Sequence, residues 1–577
     1  MSAAEQLLTN NLSTLALAVQ NKSASGRGSS KKIDLYGIKK LRELILELAV
    51  RGKLVPQNPE DEPASKLLES IAAEKAWLVK EGKIKKQKPL PPIGEDEIPA
   101  ELPSGWGYVR LGDVINVLNG RAYKKHEMLQ EGTPLLRVGN LFTSNEWYYS
   151  NLELEPEKYI DNGDLIYAWS ASFGPFIWNS GKAIYHYHIW KLDLFDEPSL
   201  SKQYLYNYLL AITEHIKASG SGIAMIHMTK ERMEKLVLPI PPLQEQHRIV
   251  AKVDELMALC DQIEQQTEAS LSAHTTLVEN LLATLTSSAN AEELEHNWQR
   301  IASHFTTLFT TEASIDQLKQ TILQLAVMGK LVPQDPNDEP AAKLLERIAT
   351  EKAQLVKEGK IKKQKALPPI GEDEKPFELP DGWEWCRLAE LVTIRGGKRV
   401  SNGYKLLREP TPYIYIRVAD MKGGTIDDSD IHYIDSQMRQ KISQYIITKD
   451  DIYMTIVGTI GKCGLVPDKF DQMNLTENAA RLTPSAELSN SFLYKCLDSD
   501  FCQNQFIDKT KQVGVQKMAL NRLASTLIPL PPKTEALNIE KKVDQLMTLC
   551  DQIKTHLQHQ QQTCLHLADA MVEQSLI

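Results

Sequence analysis

Residues 52–106 read GKLVPQNPEDEPASKLLESIAAEKAWLVKEGKIKKQKPLPPIGEDEIPAELPSGW, and almost the same text returns without a gap at residues 329–383. At this constant offset of 277, 45 of the 55 positions are identical. A second repeat, offset by 290, relates LPIPPLQEQHRIVAKVDELMALCDQI (238–263) to IPLPPKTEALNIEKKVDQLMTLCDQI (528–553). The repeats enclose blocks that differ, so the sequence predicts one duplicated frame that holds two variable units.

The composition is that of an ordinary folded protein. The 577 residues exceed what one core usually organises and predict about three to five units. Apolar residues make up 42% and charged residues 24%, and no run of 18 apolar residues occurs. The N-terminus lacks a signal-peptide layout, and the seven cysteines include no CxxC pair, which is typical of reduced thiols. These features predict a cytoplasmic location.

The charge gives no sign of a nucleic-acid partner, since DNA-binding domains usually carry a basic face. The whole chain has a formal net charge of −9. Residues 107–238 hold 13 Lys and Arg against 15 Asp and Glu, a charge of −2. Residues 385–528 hold 19 against 16, a charge of +3. Neither variable block is a basic domain.

Apolar residues at helical spacing predict two helices in each repeated arm. Asp34 is a candidate N-cap of the first helix, which Gly52 ends. The second helix begins after Pro63 and stops at Gly82. The KIKKQK stretch that follows is predicted to be a solvated loop, with phosphate contact as the alternative. The second arm repeats these boundaries at Asp316, Gly329, Pro340 and Gly359.

A long helix is predicted after each Pro-Pro pair, because apolar residues recur in steps of four and three over about four heptads. Two such helices of some 40 residues, each roughly 60 Å long, most economically pack against each other as a coiled coil. The equivalent cysteines are expected to be buried as small hydrophobic residues. The predicted seam consists of Val253, Leu256, Cys260 and Ile263 in the first helix and Val543, Leu546, Cys550 and Ile553 in the second.

The two variable blocks follow one plan with different residues. Each opens on Gly-Trp and a short strand, VRLGDV (109–114) or CRLAEL (386–391), and each then has a Gly followed by basic residues. Each later has a strand that ends in Arg-Val and closes on a Gly-containing loop. The pattern predicts two mixed α/β modules of the same fold with different surfaces.

Motifs for catalysis are absent from the sequence. It has no GxxxxGK[ST] phosphate loop, no Gly-rich dinucleotide loop and no Asn-Pro-Pro-aromatic methyltransferase signature. His186 and His188 could ligate a metal, but they have no third ligand nearby in the sequence, so they are expected to be packing or surface residues on one strand face. The chain is predicted to be non-catalytic, without metal or cofactor of its own.

These features together resemble the specificity (S) subunit of type I restriction–modification systems over nearly the whole chain. The resemblance rests on Gly-Trp-x-x-x-Arg-Leu at 105–111 and 382–388, on LPIPPLQEQHRIV at 238–250, and on the duplicated heptad helices. The second copy departs from the pattern, because PPKTEALNI replaces PP-x-x-EQ-x-x-I, which puts the contacts of 533–538 in question.

The resemblance implies an α+β fold with two target recognition domains, spaced by two long antiparallel coiled-coil helices and accompanied by duplicated helical arms. The expected domains are an N-terminal helical region (1–106), a first recognition domain (107–238), a central helical region (239–383), a second recognition domain (384–528) and a C-terminal heptad helix (529–577).

The resemblance also implies that each recognition domain reads one half of a split double-stranded DNA target. Two modification subunits with S-adenosylmethionine would methylate adenine, and two restriction subunits with ATP and Mg would translocate and cleave DNA. Such partners could supply much of the phosphate neutralisation, which explains the weak charge of this chain.

Candidate DNA contacts are the polar and basic residues that can reach base edges or phosphates. For each of them a solvated side chain or a strand-end ion pair is an equally good interpretation. Arg137 and Arg417 occupy equivalent positions, which favours a shared framework or phosphate role. The candidates are Arg121, Lys124, Lys125, Arg137, Asn140, Ser219, Gly220, Ser221, Gly222 and His227 in the first block, and Lys398, Arg399, Arg417, Asp420, Lys462, Gly514, Gln516 and Lys517 in the second.

Two other classes of protein compete with this hypothesis. A coiled-coil scaffold with two protein-binding heads is the alternative, but a symmetric scaffold would have little reason to vary its heads within a near-identical frame. An enzyme in its own right is disfavoured by the missing catalytic motifs.

Overall fold

The computed structural model describes residues 15, 18–21, 33–98, 101–170, 172–218, 228–363, 367–511 and 517–576. The chain divides into two units, Met1–Ser270 with Gln560–Ile577, and Leu271–His559. Each unit contains one arm, one variable block (hereafter a head), the start of one long helix and the end of the other. This exchange of helix ends agrees with the antiparallel helices of the expected α+β fold.

The helices alternate short elements with two very long ones. They are α1 Tyr36–Val50, α2 Ala64–Lys80, α3 Leu111–Val114, α4 Val138–Phe142, α5 Lys202–Ala218, α6 Lys230–Glu234, α7 Leu243–Ser287, α8 Ala291–Ser303, α9 Phe305–Leu308, α10 Glu312–Val327, α11 Ala341–Lys357, α12 Leu388–Leu391, α13 Ser436–Lys441, α14 Asn490–Asp498, α15 Asp500–Lys511, α16 Leu520–Ala524 and α17 Lys533–Leu576.

The strands are short and lie mainly in the heads. They are β1 Gln20–Asn21, β2 Ile33–Asp34, β3 Gly107–Arg110, β4 Ile115–Asn119, β5 Thr133–Leu136, β6 Tyr148–Ser150, β7 Tyr159–Ile160, β8 Leu165–Ser170, β9 Ser172–Ile177, β10 Ala183–Tyr185, β11 Ile189–Leu194, β12 Val237–Ile240, β13 Glu384–Arg387, β14 Val392–Gly396, β15 Tyr415–Ile416, β16 Met421–Lys422, β17 Thr425–Ile426, β18 Ile446–Ile447, β19 Ile452–Thr455, β20 Cys463–Leu465, β21 Met473–Leu475, β22 Ala479–Pro484 and β23 Leu527–Leu530.

The arm helices end where the sequence predicted, because Gly52 and Gly329 adopt φ of +68° and +69°, a conformation that favours glycine. The predicted N-caps are wrong. Asp34 lies in β2, paired with Gln20, and α1 begins at Tyr36. Asp316 lies inside α10, which begins at Glu312. There Thr311 is the N-cap and its side chain accepts from the Ser314 N–H.

The two long helices run for 45 and 44 residues. On α7, Val253, Leu256 and Cys260 are buried and Ile263 is half-buried. The equivalent seam on α17 has Val543 and Cys550 buried, with Leu546 and Ile553 half-buried.

The arm helix takes part in this seam. In the second unit, Val543 and Cys550 share one hydrophobic cluster with Ile315 and Leu318 of α10 and with Val278 of α7. The apolar stripe therefore packs against the arm as well as against the other long helix.

Ion pairs repeat the arm–helix contact in each unit. In the first, Arg42 of α1 pairs with Asp261 and Glu264 of α7 at 2.6 and 2.7 Å. In the second, Lys319 of α10 pairs with Asp551 of α17 at the equivalent position. The duplicated sequence thus gives duplicated packing.

Each head contains one four-stranded antiparallel sheet and one mixed sheet of related topology, in addition to two-stranded antiparallel pairs. The antiparallel sheets have the orders β4-β11-β8-β9 and β14-β22-β19-β20. The mixed sheets have the orders β6-β5-β10-β7 and β15-β21-β18, and each contains one parallel pair, β5 with β10 or β15 with β21. The chain passes from the mixed sheet to the antiparallel sheet in a turn between β10 and β11 in the first head, and between the equivalent strands β21 and β22 in the second.

A buried carboxylate ties the arm to the long helix in each unit, at a point that we call the joint. In the first unit, Glu245 at the start of α7 accepts from Trp106 Nε1 at 3.0 Å and from Gln57 Nε2 at 3.1 Å. Burial raises the pKa of the Glu245 carboxyl, and the two donors oppose that shift.

The joint of the second unit is made by Glu535, which accepts from Trp383 Nε1 at 3.0 Å and Gln334 Nε2 at 3.1 Å. The divergent 533–538 segment therefore retains this contact. It loses another one. In the first unit Gln246 accepts from the Ser201 N–H at 2.8 Å, and Ala536 stands at the equivalent position.

A buried arginine fastens the Pro-rich segment to each head. Arg110 donates to the carbonyls of Pro91 and Pro92 and pairs with Glu97 at 2.5 Å. Arg387 makes the equivalent contacts, including a pair with Glu374 at 2.9 Å. The Gly-Trp-x-x-x-Arg-Leu motif is thus a structural element that anchors the head in its frame.

None of the helices in the described ranges is long and apolar enough to cross a membrane.

Candidate nucleic-acid interface

The candidate site in each head surrounds a tight turn. Where this turn begins, a second chain segment passes so close that it must have glycine at the point of contact. At Gly120, a Cβ would collide with the carbonyl oxygens of Tyr185 and His186. At Gly397, a Cβ would collide with those of Leu475 and Thr476. Only glycine allows this approach, and it brings the basic residue that follows each glycine onto the turn.

The two turns, residues 186–188 and 476–478, share most of their main-chain hydrogen bonds. The His186 N–H donates to Leu136 O at 2.9 Å, and the Thr476 N–H donates to Ile416 O at 3.1 Å. The residues that carry these acceptors directly precede Arg137 and Arg417. The two arginines are therefore equivalent in the backbone structure as well as in the sequence.

In each head, a third segment of the chain also hydrogen-bonds to the turn. The Trp169 N–H donates to His188 O at 3.1 Å, and the Ile456 N–H donates to Asn478 O at 2.9 Å. The backbone therefore holds both turns in one conformation, while the side chains on them differ completely.

Arg121 lies beside the first turn, because its N–H donates to Tyr185 O and its carbonyl accepts from the Tyr187 N–H, both at 3.1 Å. Its guanidinium pairs with Glu127 at 2.7 Å and lies 5.2 Å from the Tyr123 ring centroid. Its buried Nη1 has no hydrogen-bond partner within the described residues. A buried donor without an acceptor is unusual and leaves bonding capacity for a ligand.

Lys124 and Lys125 are exposed beside Arg121, at a 3-10 turn that covers Lys125–Glu127. Glu127 accepts from the Lys124 N–H at 2.8 Å, and this bond together with Arg121 lowers the pKa of the Glu127 carboxyl. The Glu127 carboxylate thus fixes the backbone of this 3-10 turn, and the side chains of Lys124 and Lys125 extend from the turn.

Arg137 and Asn140 have different roles. The Asn140 Oδ1 accepts from the Arg137 N–H at 3.2 Å, and its Nδ2 donates to Glu146 O at 2.7 Å, so this amide is used by the local fold. The Arg137 guanidinium lies 4.3 Å from the Tyr148 ring and makes only a long 3.5 Å bond to Glu146 O. Its buried Nε lacks a partner among the residues described.

The equivalent Arg417 is held by acids. It pairs with Asp420 at 2.5 Å and with Asp430 at 3.2 Å, and the Asp420 carboxylate also accepts from the Arg417 N–H at 2.8 Å. Asp420 is buried, with 5% of its surface exposed. These bonds raise the pKa of Arg417 and fix its guanidinium. Arg417 and Asp420 therefore support the fold of the second head.

Main-chain contacts gather the remaining candidates of the second head around its turn. The Lys398 N–H donates to Leu475 O at 2.9 Å, and the exposed Arg399 lies 3.8 Å from the Glu477 carboxylate. The Lys462 carbonyl accepts from Thr455, next to Ile456, and Lys517 forms a bridge with Val457. The side chains of Lys398, Lys462 and Lys517 are exposed.

Some predicted contacts lie outside the described residues. They are Ser219, Gly220, Ser221, Gly222 and His227 in the first head and Gly514 and Gln516 in the second.

The sequence prediction missed the aromatic side chains of the first turn. Tyr187 is 40% exposed, its ring centroid is 3.9 Å from that of His188, and Trp169 lies 5.3 Å from His188. His186 and His188 were expected on a strand, but they occupy the turn between β10 and β11. The YHYH sequence itself (185–188), an aromatic cluster at a strand end, was the available signal.

His186 is a neutral imidazole near pH 7. Burial, and to a lesser extent the nearby His188 and Arg137, lower its pKa to about 4. Among the described residues, no group of three or more His, Cys, Asp and Glu could hold a metal ion. The His186 ring is thus placed near Arg137 as a neutral ring with hydrogen-bonding nitrogens.

Two heads of one fold, each presenting a different set of side chains from the same backbone, define a two-headed recognition protein. Residues 103–273 and 380–561 match the family described as the type I restriction modification DNA specificity domain. The chain belongs to this family. It is a non-catalytic specificity subunit of a type I restriction–modification system, the component that recognises the DNA target.

Similar proteins cover the whole chain. It is 45% identical to the specificity subunit of the type I restriction enzyme EcoAI from Escherichia coli, over 99% of each chain. Identity to the EcoEI specificity subunit from Escherichia coli is 41% over all of both chains. A solved chain from work on assembly and conformational transition of the type I R-M system has a TM-score of 0.50 at 17% identity, covering 83% of this chain and 99% of that chain. This likeness concerns the fold alone.

Proposed function

We propose that the first head (107–238) and the second head (384–528) each read one half of a bipartite double-stranded DNA target. The regions 1–106, 239–383 and 529–577 form the frame that spaces them. The complex contains two modification subunits, which bind S-adenosylmethionine and methylate adenine, and two restriction subunits, which use ATP and Mg to cleave DNA. The complex works in the cytoplasm, where its DNA substrate lies.

The observation that carries this proposal is the pair of equivalent turns. Three main-chain hydrogen bonds of residues 186–188 recur at residues 476–478, whereas the side chains differ at all three positions. The main chain carries the hydrogen bonds that the two turns share, so the side chains that differ between them are available to specify what each head contacts. Two readers with different side chains suit a target whose halves differ in sequence.

The frame supports the proposal because its contacts at the joint and at the buried arginine recur in both units. Glu245 and Glu535 accept from a Trp and a Gln at equal distances, and Arg110 and Arg387 hold equivalent Pro-rich segments. A rigid, repeated attachment gives both heads the same mounting. Discrimination between half-sites then depends on the heads alone.

The modest charge of the heads is compatible with this role. Phosphate contacts dominate nonspecific affinity, while base readout needs a few well-placed side chains. We propose that the partner subunits supply most phosphate contacts and that exposed Lys124, Lys125, Lys398, Lys462 and Lys517 add to them. The alternative, a scaffold with two protein-binding heads, leaves the different turns without a purpose.

The test is an exchange of the first head in the intact system. Residues 107–238 are replaced by the equivalent block of another specificity subunit, and the methylated motif is determined by sequencing the genome of cells that carry the complex. One half of the motif should change and the other half should stay. If both halves change together, or neither does, the two heads do not read separate half-sites.

A further inference from the structure

The turn of the first head presents rings that its fold does not need. The N–H of Tyr187, its carbonyl and the carbonyl of His188 carry the hydrogen bonds to Arg121 and Trp169. The Tyr187 side chain is 40% exposed, and its ring lies against those of His186 and His188 at 4.4 and 3.9 Å. An exposed large aromatic residue in this position is suited to contact with a ligand rather than to core packing.

The surroundings of this turn have the chemistry that DNA bases require. Arg121 and Arg137 flank it, and each has a buried guanidinium nitrogen without a partner among the described residues. The neutral His186 ring and the Tyr187 hydroxyl can donate to and accept from base edges, and the guanidinium groups can donate to them. Aromatic rings also pack against the thymine methyl group and against unpaired bases.

The second turn has a similar backbone, but its side chains have a different chemistry. Thr476 donates through Oγ1 to Glu477 at 3.2 Å, and Arg399 lies 3.8 Å from the same carboxylate. A carboxylate accepts from the cytosine amino group, and an amide such as Asn478 suits adenine. The second turn thus differs from the first in charge, size and hydrogen-bonding pattern.

We propose that the turn of residues 186–188 is a base-reading element of the first head, and that residues 476–478 have the same role in the second. The inference rests on the proposed function, in which each head reads one half-site. It assigns base readout to residues other than the candidate DNA contacts that the sequence predicted. Arg137 is available beside the turn only in the first head, because the equivalent Arg417 is paired with Asp420 and Asp430.

Exchanging the second and third residues of the two turns tests this inference. The variant Y187E/H188N gives these two positions of the first turn the residues that stand there in the second head. The reciprocal variant is E477Y/N478H. The complete complex is incubated with duplexes that carry the wild-type motif or each of its single-base substitutions, and relative affinities are measured by competition.

Discrimination at one or more positions of the half-site assigned to the first head should change roughly 10-fold or more in Y187E/H188N, and the other half should be unaffected. The reciprocal variant should change only the second half. The matched control is W77Q, which removes an exposed aromatic residue from the first arm. Gln354 stands at the equivalent position of the second arm, so W77Q should leave both halves unchanged.

Unchanged discrimination in both variants would overturn the inference, as would an equal loss of affinity for all duplexes, which indicates a phosphate or purely structural contact. If a double variant fails to fold, Tyr187→Phe and Glu477→Gln decide by the same readout. A head exchange that alters one half-site while the turn variants alter none would refute the turn and leave the proposed function standing. A head exchange without effect would refute the proposed function itself.

Discussion

The joint and the turn are two regions that each unit contains, and they have diverged to opposite extents. At the joint, the carboxylates of Glu245 and Glu535 bind the same donors at the same distances. At the turn, the backbone is similar, but the second head has Glu477 and Asn478 where the first head has Tyr187 and His188. Side chains are retained where they satisfy buried groups and differ where the backbone alone maintains the fold.

The two equivalent arginines show the same contrast within one position. Arg417 is fixed by Asp420 and Asp430, so its charge is compensated inside the head. Arg137 has no carboxylate within ion-pair distance in the described chain and rests on the Tyr148 ring. Equivalence in sequence and in backbone therefore does not imply the same role.

The largest expected effect is at the joints. Glu245→Ala should leave the half-buried Trp106 N–H without its acceptor and leave Gln57 Nε2 with only Gly52 O, and should destabilise the first unit by about 2–4 kcal/mol. Glu535→Ala should do the same to the second unit. Native-state hydrogen exchange, read separately for each unit, measures both effects. The control is Glu255→Ala on α7, an exposed residue paired with Lys252, which should change stability by less than ~0.5 kcal/mol. Unequal losses would mean that the two joints are not equivalent.

The equivalent arginines should separate stability from recognition. Arg417→Ala leaves the buried Asp420 without its charged partner and should destabilise the second head by about 2–3 kcal/mol. Arg137→Ala loses a ring contact and one long hydrogen bond, and should destabilise the first head by less than about 1 kcal/mol. Thermal unfolding and hydrogen exchange provide the stabilities, and competition binding provides the discrimination at the first half-site, which should fall only in Arg137→Ala. Similar stability losses in both variants would remove the distinction.

A smaller effect is expected where the frame itself has diverged. Gln246 is buried and satisfies the Ser201 N–H and the Pro241 carbonyl, and the second unit has Ala536 instead. Gln246→Ala should destabilise the first unit by about 1–2 kcal/mol, because a buried main-chain donor loses its acceptor. Protection of the amides near Ser201 is the measurement. No change there would show that water replaces the glutamine.

The smallest expected effect is the pH dependence of the Arg110–Glu97 pair. The hydrogen bond from Arg110, followed by the one from the Gly94 N–H, lowers the pKa of the Glu97 carboxyl to about 2. Its contribution to stability is therefore complete above the unfolded pKa of about 4.3 and is lost as the pH falls towards 2. Glu97→Gln should be less stable than the wild type at pH 6, and the difference should shrink between pH 4.5 and 2.5 in denaturant unfolding. A difference that is independent of pH would exclude the ion pair as its cause.

The sequence determined the architecture because its signals are local or repeated. Helix ends at Gly52 and Gly329 follow from glycine's freedom at positive φ, and the long helices follow from apolar periodicity. The repeat predicted that whatever holds the first head also holds the second, and the motif residues Trp106, Arg110 and Glu245 proved to be its contacts. The family could be inferred for the same reason, since these motifs are contiguous in the chain.

Only the tertiary structure decided how individual side chains are used. Asp34 is drawn into a strand pair with Gln20, which no local capping rule anticipates. Arg137 and Arg417 look alike in the sequence, and the acids that distinguish them include Asp430, thirteen residues further on. The crossing at Gly120 brings Arg121 to Tyr185 and Tyr187, more than 60 residues away. Ion pairing, burial and the chemistry of the turn arise from such distant contacts, and periodicity and spacing carry no information about them.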